Sequence, residues 1–97
     1  MTVKHVLLIE WADDVTDSQI QQCRDGLHAL KDAIPGIQDV AEGKNFSERG
    51  GDTAHAVVMT MDDKAALEGY APHPAHLEFV AMAKPWLKKL TVIDFEA

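Results

Sequence analysis

The sequence predicts an α+β fold of the ferredoxin-like kind, β-α-β-β-α-β, with a four-stranded antiparallel sheet and its helices on one face. Three observations carry that expectation. Four stretches are rich in β-branched and aliphatic residues over lengths that suit strands. Two stretches instead repeat apolar residues at three- and four-residue spacing, the period of a helix. Two of the strands, finally, are apolar on both alternating faces, and helices on one side cover only one of those faces. A second copy packed sheet against sheet is the economical cover, so the expected assembly is a homodimeric α+β barrel. The 97 residues suit one domain, 1–97. A core of that size buries only about 60–65% of the unfolded surface, which a partner interface would supplement.

Val3 to Glu10 is the first strand, with His5, Leu7 and Ile9 on one face and Val6 and Leu8 on the other. Ala12 to Val15 is a polar turn. Thr16-Asp17-Ser18-Gln19 has the form of a capping box, in which Thr16 and Gln19 satisfy each other's backbone N–H groups. Ile20, Cys23, Leu27, Leu30 and Ile34 then share one helical face, and Pro35-Gly36 stops the helix. Ile37 to Asn45 reads as a more polar strand near a sheet edge. After a loop, Thr53 to Met61 is the third strand, where His55, Val57, Met59 and Met61 alternate with Ala54, Ala56, Val58 and Thr60. Asp62 or Asp63 caps a short helix that runs through Tyr70. Ala71-Pro72 breaks it, because a residue before proline is pushed out of helical dihedrals. Pro74 suits the first turn of a new helix, where its missing N–H costs nothing. Leu90 to Glu96 is the last strand.

The charge balance, 9 Lys+Arg against 16 Asp+Glu for a net −7, argues against a nucleic-acid partner and against an anionic membrane surface. The single cysteine, Cys23, leaves no disulfide framework and no thiolate metal cluster, and its place on the apolar stripe predicts a buried, inert thiol. The N-terminus lacks a signal-peptide pattern and no stretch approaches the ~20 apolar residues of a membrane span, so a soluble, cytoplasmic protein is expected. Phosphate-loop and nucleophile-elbow motifs are absent.

Chemistry concentrates in Gly69-Tyr70-Ala71-Pro72-His73-Pro74-Ala75-His76. His76 shares a helical face with Phe79, Val80, Ala83 and Leu87, so it points toward the sheet from the first turn of its helix. The positive end of the helix dipole favours the neutral imidazole there. A neutral imidazole with a free lone pair is what a general base needs. Tyr70, across the proline break, can donate a hydrogen bond to a developing oxyanion. Two readings stay open: a proton-abstracting pair, or an interfacial aromatic beside a satisfied core histidine. His5 and His55 are polar groups in apolar strands, set to line a ligand pocket or to pair with backbone carbonyls. Antiparallel pairing of their strands would place them toward opposite ends. His73 precedes Pro74 and acts as a cap or a brace, and His28 faces solvent. No carboxylate completes a histidine metal site, so neither metal nor cofactor is expected.

Val3-Lys4-His5-Val6, Ile34-Pro35-Gly36-Ile37, Thr53-Ala54-His55, Tyr70 with His73-Pro74-Ala75-His76, and Val92-Ile93-Asp94-Phe95 together resemble the stress-responsive dimeric α/β-barrel (Dabb) family. The resemblance covers essentially the whole chain and implies ferredoxin-like protomers joined into a dimeric barrel. Its polyketide-cyclase branch implies closure of a linear poly-β-ketoacyl thioester by intramolecular aldol condensation, without a cofactor. On that pattern His76 is the base and Tyr70 stabilises the enolate or oxyanion, with His5 and His55 lining the pocket; His73 joins them as a substrate-binding candidate from its place in the same segment. A non-catalytic small-ligand-binding or stress-protective homodimer is the alternative the family implies. Some members hold a divalent ion on backbone carbonyls that map to Lys31, Ile34 and Ile37, on which residue type is silent.

Overall fold

The computed structural model describes residues 1–97. Strand β1 spans Val3–Trp11, helix α1 Asp17–Ala33, β2 Ile37–Lys44, β3 His55–Met61, α2 Lys64–Tyr70, α3 Pro74–Ala83 and β4 Leu87–Glu96. The sheet order is β2-β3-β1-β4 with every neighbouring pair antiparallel, which is the expected ferredoxin-like arrangement.

Local chemistry sets the helix ends. The Thr16 hydroxyl accepts from the Gln19 N–H while the Gln19 side chain accepts from the Thr16 N–H, so both halves of the capping box are made. Asp63, rather than Asp62, caps α2 by accepting from the Ala66 N–H. The expected break at Ala71-Pro72 separates α2 from α3. The stripe that the sequence extends to Leu87 stops earlier, because α3 ends at Ala83 and a 3-10 turn, Lys84–Trp86, carries Pro85. Strand β4 therefore starts at Leu87 rather than Leu90, pairing Leu87 with Trp11 across a bulge. Strand β3 starts at His55 rather than Thr53, because the preceding loop contains a 3-10 turn at Glu48–Gly50.

Alternation along β1 and β3 divides the sheet into two unlike faces. Val3, Leu7 and Ile9 meet Val57, Met59 and Met61 on the helix side, where Cys23, Leu27, Leu30 and Ile34 of α1 close the core. Each such aliphatic side chain contributes roughly 1.5–3 kcal/mol by leaving water. No helix lies on the other face. Its middle is apolar (Val6, Leu8, Ala56, Val58, Ile93), whereas Lys4 with Thr60 and Glu10 with Lys89 mark its two ends.

Under α1 sits a buried charge that the apolar stripe conceals. Glu42, its side chain only 4% exposed, accepts from Arg24 Nε at 2.9 and 3.0 Å, lies 3.0 Å from His55 Nε2 and has His28 Nε2 at 3.6 Å. The Arg24 hydrogen bond, followed by that of His55, outweighs burial and pulls the Glu42 carboxyl from its ordinary 4.5 down to about 2. A folded-state value below the unfolded one means that the stabilisation is complete above about pH 4.5 and is lost as the pH falls through about 2. Glu42→Gln is expected to cost about 3 kcal/mol in urea denaturation at pH 7, since it leaves the buried His55 and the Arg24 guanidinium unmatched. It should also flatten the stability profile between pH 4.5 and 2. An unchanged profile would remove Glu42 as the source of acid sensitivity.

Candidate functional site

A cavity of about 740 Å³ opens between the helices and the β1–β4 side of the sheet. Leu7 and Ile9 form part of its floor, Cys23 and Leu27 of α1 one wall, and Phe79 and Val80 of α3 another. Register explains why β4 contributes. Leu90, Val92 and Asp94 pair with Ile9, Leu7 and His5, so they share the helix-side face. Strand β4 is an edge strand, and Leu90 and Val92 remain 45% and 48% exposed at the mouth.

Three polar groups converge inside. Tyr70 ends α2 and is buried, its ring edge-on to His5 with centroids 5.5 Å apart. The chain then turns through Ala71-Pro72 and brings His76 back over Tyr70, with ring centroids 4.2 Å apart. His76 Nδ1 lies 2.9 Å from the Ala71 carbonyl oxygen. A carbonyl can only accept, so Nδ1 carries a proton, and the lone pair of the neutral tautomer is the one on Nε2. His5 Nδ1 donates to Asp94 Oδ1 at 2.5 Å, which fixes that ring in the same sense. Burial pushes the Tyr70 phenol up to about 12, so at neutral pH it is a hydrogen-bond donor and not a base. No group of the chain accepts from the phenol, and no side-chain polar atom is sealed without a partner, so its O–H faces the cavity. Burial, aided by the charge of Glu42, holds the Cys23 thiol at about 11, and the residue contributes apolar lining.

The structure thus brings His5, Tyr70 and His76 to one cavity and leaves His55 and His73 outside it. His55, expected to face substrate, lies opposite Ile9, while His5 lies opposite Met59. Four residues of strand separate them, about 13 Å. The His55 ring is committed to Glu42 and packs edge-on against Trp11. His73, also expected in the substrate-binding set, is the N-cap of α3, its Nδ1 accepting from the Ala75 N–H at 3.1 Å. His28 is on the solvent side, its side chain 54% exposed. Two working carboxylates escape a reading of motifs. Asp94 is signalled only by its alternation with Val92, and Glu42 by its alternation with buried Val40.

Lys31, Ile34 and Ile37, whose carbonyls the family resemblance maps to a cation site, lie in the last turn of α1, at its C-cap and at the start of β2. Pro35 has no N–H, so the Lys31 carbonyl lacks its helical donor. No group of three or more His, Cys, Asp or Glu side chains gathers as a ligand set anywhere in the chain.

Gly26 of α1 leaves room for the Phe79 ring, which lines the cavity. A methyl group there would lie 2.9 Å from two ring atoms of Phe79, closer than packed carbons come. Gly26→Ala is expected to drive the Phe79 ring into the cavity and to weaken binding of an apolar fluorescent probe several-fold. Alanine's higher helix propensity, about 1 kcal/mol, offsets the strain of the displaced ring. Unchanged probe affinity would show that Phe79 yields elsewhere.

The chain matches the family described as Stress responsive A/B Barrel Domain, Dabb, over residues 3–97. It belongs to the Dabb family. It is 34% identical to the stress-response A/B barrel domain-containing protein HS1 of Arabidopsis thaliana, covering 97% of this chain and 88% of that protein. It is 27% identical to olivetolic acid cyclase of Cannabis sativa, covering 98% and 96% of the two chains. Among solved structures, a dimeric ferredoxin-like protein of unknown function from Thermobifida fusca superposes with a TM-score of 0.86 at 30% identity, covering 100% of this Dabb chain and 92% of the other. No helix of this Dabb protein is long and apolar enough to cross a membrane.

Proposed function

We propose that this Dabb protein is a homodimer whose cavity carries out cofactor-free acid–base catalysis on a carbonyl compound of polyketide type, closing it by intramolecular aldol condensation. The observation that carries the reading is the His76 tautomer. Its Nδ1 proton is held by the Ala71 carbonyl, so its Nε2 lone pair is available inside an apolar cavity beside a neutral phenol.

A methylene between two carbonyls is acidic enough for an imidazole to deprotonate. His76 Nε2 takes that proton and becomes imidazolium, and the electron pair moves onto the enolate oxygen. The Tyr70 O–H donates to the oxygen on which charge develops, either of the enolate or of the alkoxide formed when the carbanion attacks a distant ketone of the same chain. His76 then returns its proton to the alkoxide, giving a hydroxyl; in a second cycle it takes the remaining methylene proton and delivers it to that hydroxyl, which leaves as water. His5, oriented by Asp94, binds a further substrate oxygen. The apolar walls hold the remainder of the chain folded and exclude water from the enolate. The 27% identity to a protein named olivetolic acid cyclase supports this class of reaction.

The homodimer has its own support. The apolar middle and polar ends of the uncovered sheet face have the layout of an interface core and rim. The isolated chain exposes 6009 Å², and a folded monomer of this mass is expected to expose about 5500 Å². The dimeric relative at 30% identity agrees.

A panel of β-ketoacyl thioesters of increasing length tests the function. Formation of a ring product with loss of one water is the expected result. A second reading, a dimer that holds an apolar ligand without converting it, is favoured by the largely apolar lining and by the 34% identity to HS1. Tight binding across the panel with no turnover and no α-proton loss would select it.

A further inference from the structure

Phe46 is the one aromatic ring of the chain that touches nothing: it is 100% exposed. A free loop tip would make that unremarkable, but this tip is braced. The Asn45 side chain donates from Nδ2 to the Ser47 carbonyl at 3.0 Å and to the Thr53 carbonyl at 2.8 Å, and its Oδ1 accepts from the Ser47 N–H at 2.9 Å. Every hydrogen-bonding group of that amide is therefore spent on the backbone around Phe46. The Asn45 N–H is bound to the Ala54 carbonyl, and the Ser47 hydroxyl accepts from the Arg49 N–H. Gly50 completes the brace, since a Cβ there would sit 2.5 Å from Asn45 Nδ2. The fold holds a large apolar side chain in water on a fixed backbone. Burial of that ring elsewhere would account for the arrangement.

Its surroundings name the occupant. Phe46 stands at the rim of a shallow groove on the uncovered sheet face, floored by Leu8, Ala41, Ala56 and Val58. A ring and an apolar bed on the same face are what a two-fold interface requires, because each copy presents both. Lys44 and Arg49, neither in an ion pair, lie at the same groove. They put local positive charge where two copies of net charge −7 would otherwise repel.

We propose that Phe46 is the anchor residue of the homodimer, presented by the Asn45-braced loop and seated on the sheet face of a second copy. The inference rests on the homodimer reading above and adds the residue that fixes its strength. A braced anchor loses little conformational freedom on docking, which is how a small interface gains affinity. Because the ring makes no contact within its own chain, its removal leaves the protomer intact.

Sedimentation of the full chain over nanomolar to micromolar concentrations tests this, with wild type, Phe46→Ala, Phe46→Leu and Asn45→Ala compared. The Phe46→Ala dissociation constant should rise at least about 30-fold, as for loss of an interface hot spot. Phe46→Leu should recover much of the affinity. Asn45→Ala should weaken the dimer through the loosened loop, and all four proteins should give the same far-ultraviolet circular dichroism. A Phe46→Ala dimer as tight as the wild type would overturn the anchor and leave the homodimer standing. A wild-type protein monomeric throughout would overturn both.

Discussion

His76→Ala is expected to lower the turnover of a β-ketoacyl thioester by about 10²–10⁴-fold, the range that a general base supplies. The loss should fall on kcat rather than KM, because the imidazole acts on a proton that moves only in the transition state. Tyr70→Phe should cost about 10²-fold or more, as removal of one oxyanion donor does, with the ring packing against His5 and His76 retained. The pH profile separates the two roles. The Tyr70 phenol stays protonated to about 12, so no loss of its donor is expected over the working range of an imidazole base. An acidic limb that vanished in Tyr70→Phe and persisted in His76→Ala would instead make the tyrosine the base. Turnover unaffected by either substitution would remove both residues from the chemistry.

Val58→Asp carries the second large effect, on assembly. Val58 lies at the middle of the uncovered face, paired with Val6 on one side and Ala41 on the other. In a lone protomer the carboxylate faces water at little cost. In a sheet-to-sheet dimer it is buried without a partner, and the two-fold axis makes it two such charges. Each is expected to cost several kcal/mol, enough to raise the dissociation constant by about 10³-fold or more. Size-exclusion chromatography with light scattering reads the result directly. A Val58→Asp protein that ran as a dimer with native circular dichroism would place the interface on another surface.

The fold was legible because its signals are local and redundant. The capping box at Thr16, the proline break at Ala71-Pro72 and the two-sided strands each point to the same ferredoxin-like arrangement. The site was legible only where one segment carries it. Tyr70 and His76 face each other because only Ala71-Pro72-His73 lie between their helices. Whatever depends on register was not. The pairing of His5 with Asp94 joins residues at opposite ends of the chain. The capture of His55 by Glu42 depends on how β2 lies beside β3. A histidine in an apolar strand has the same sequence signature whether a cavity or a buried carboxylate satisfies it. That ambiguity is why His5 and His55 look alike in sequence and sit in different places in the structure.

The central claim, that His76 Nε2 is a base aimed into the cavity, needs no identified substrate to test. A short β-ketoacyl thioester incubated with the protein in D₂O exchanges its activated methylene protons, which proton NMR follows directly. Exchange well above the buffer rate is expected for wild type, with a return to near the buffer rate for His76→Ala and no such loss for His73→Ala, whose ring caps α3. Wild-type exchange no faster than buffer, or exchange that survives intact in His76→Ala, would contradict it.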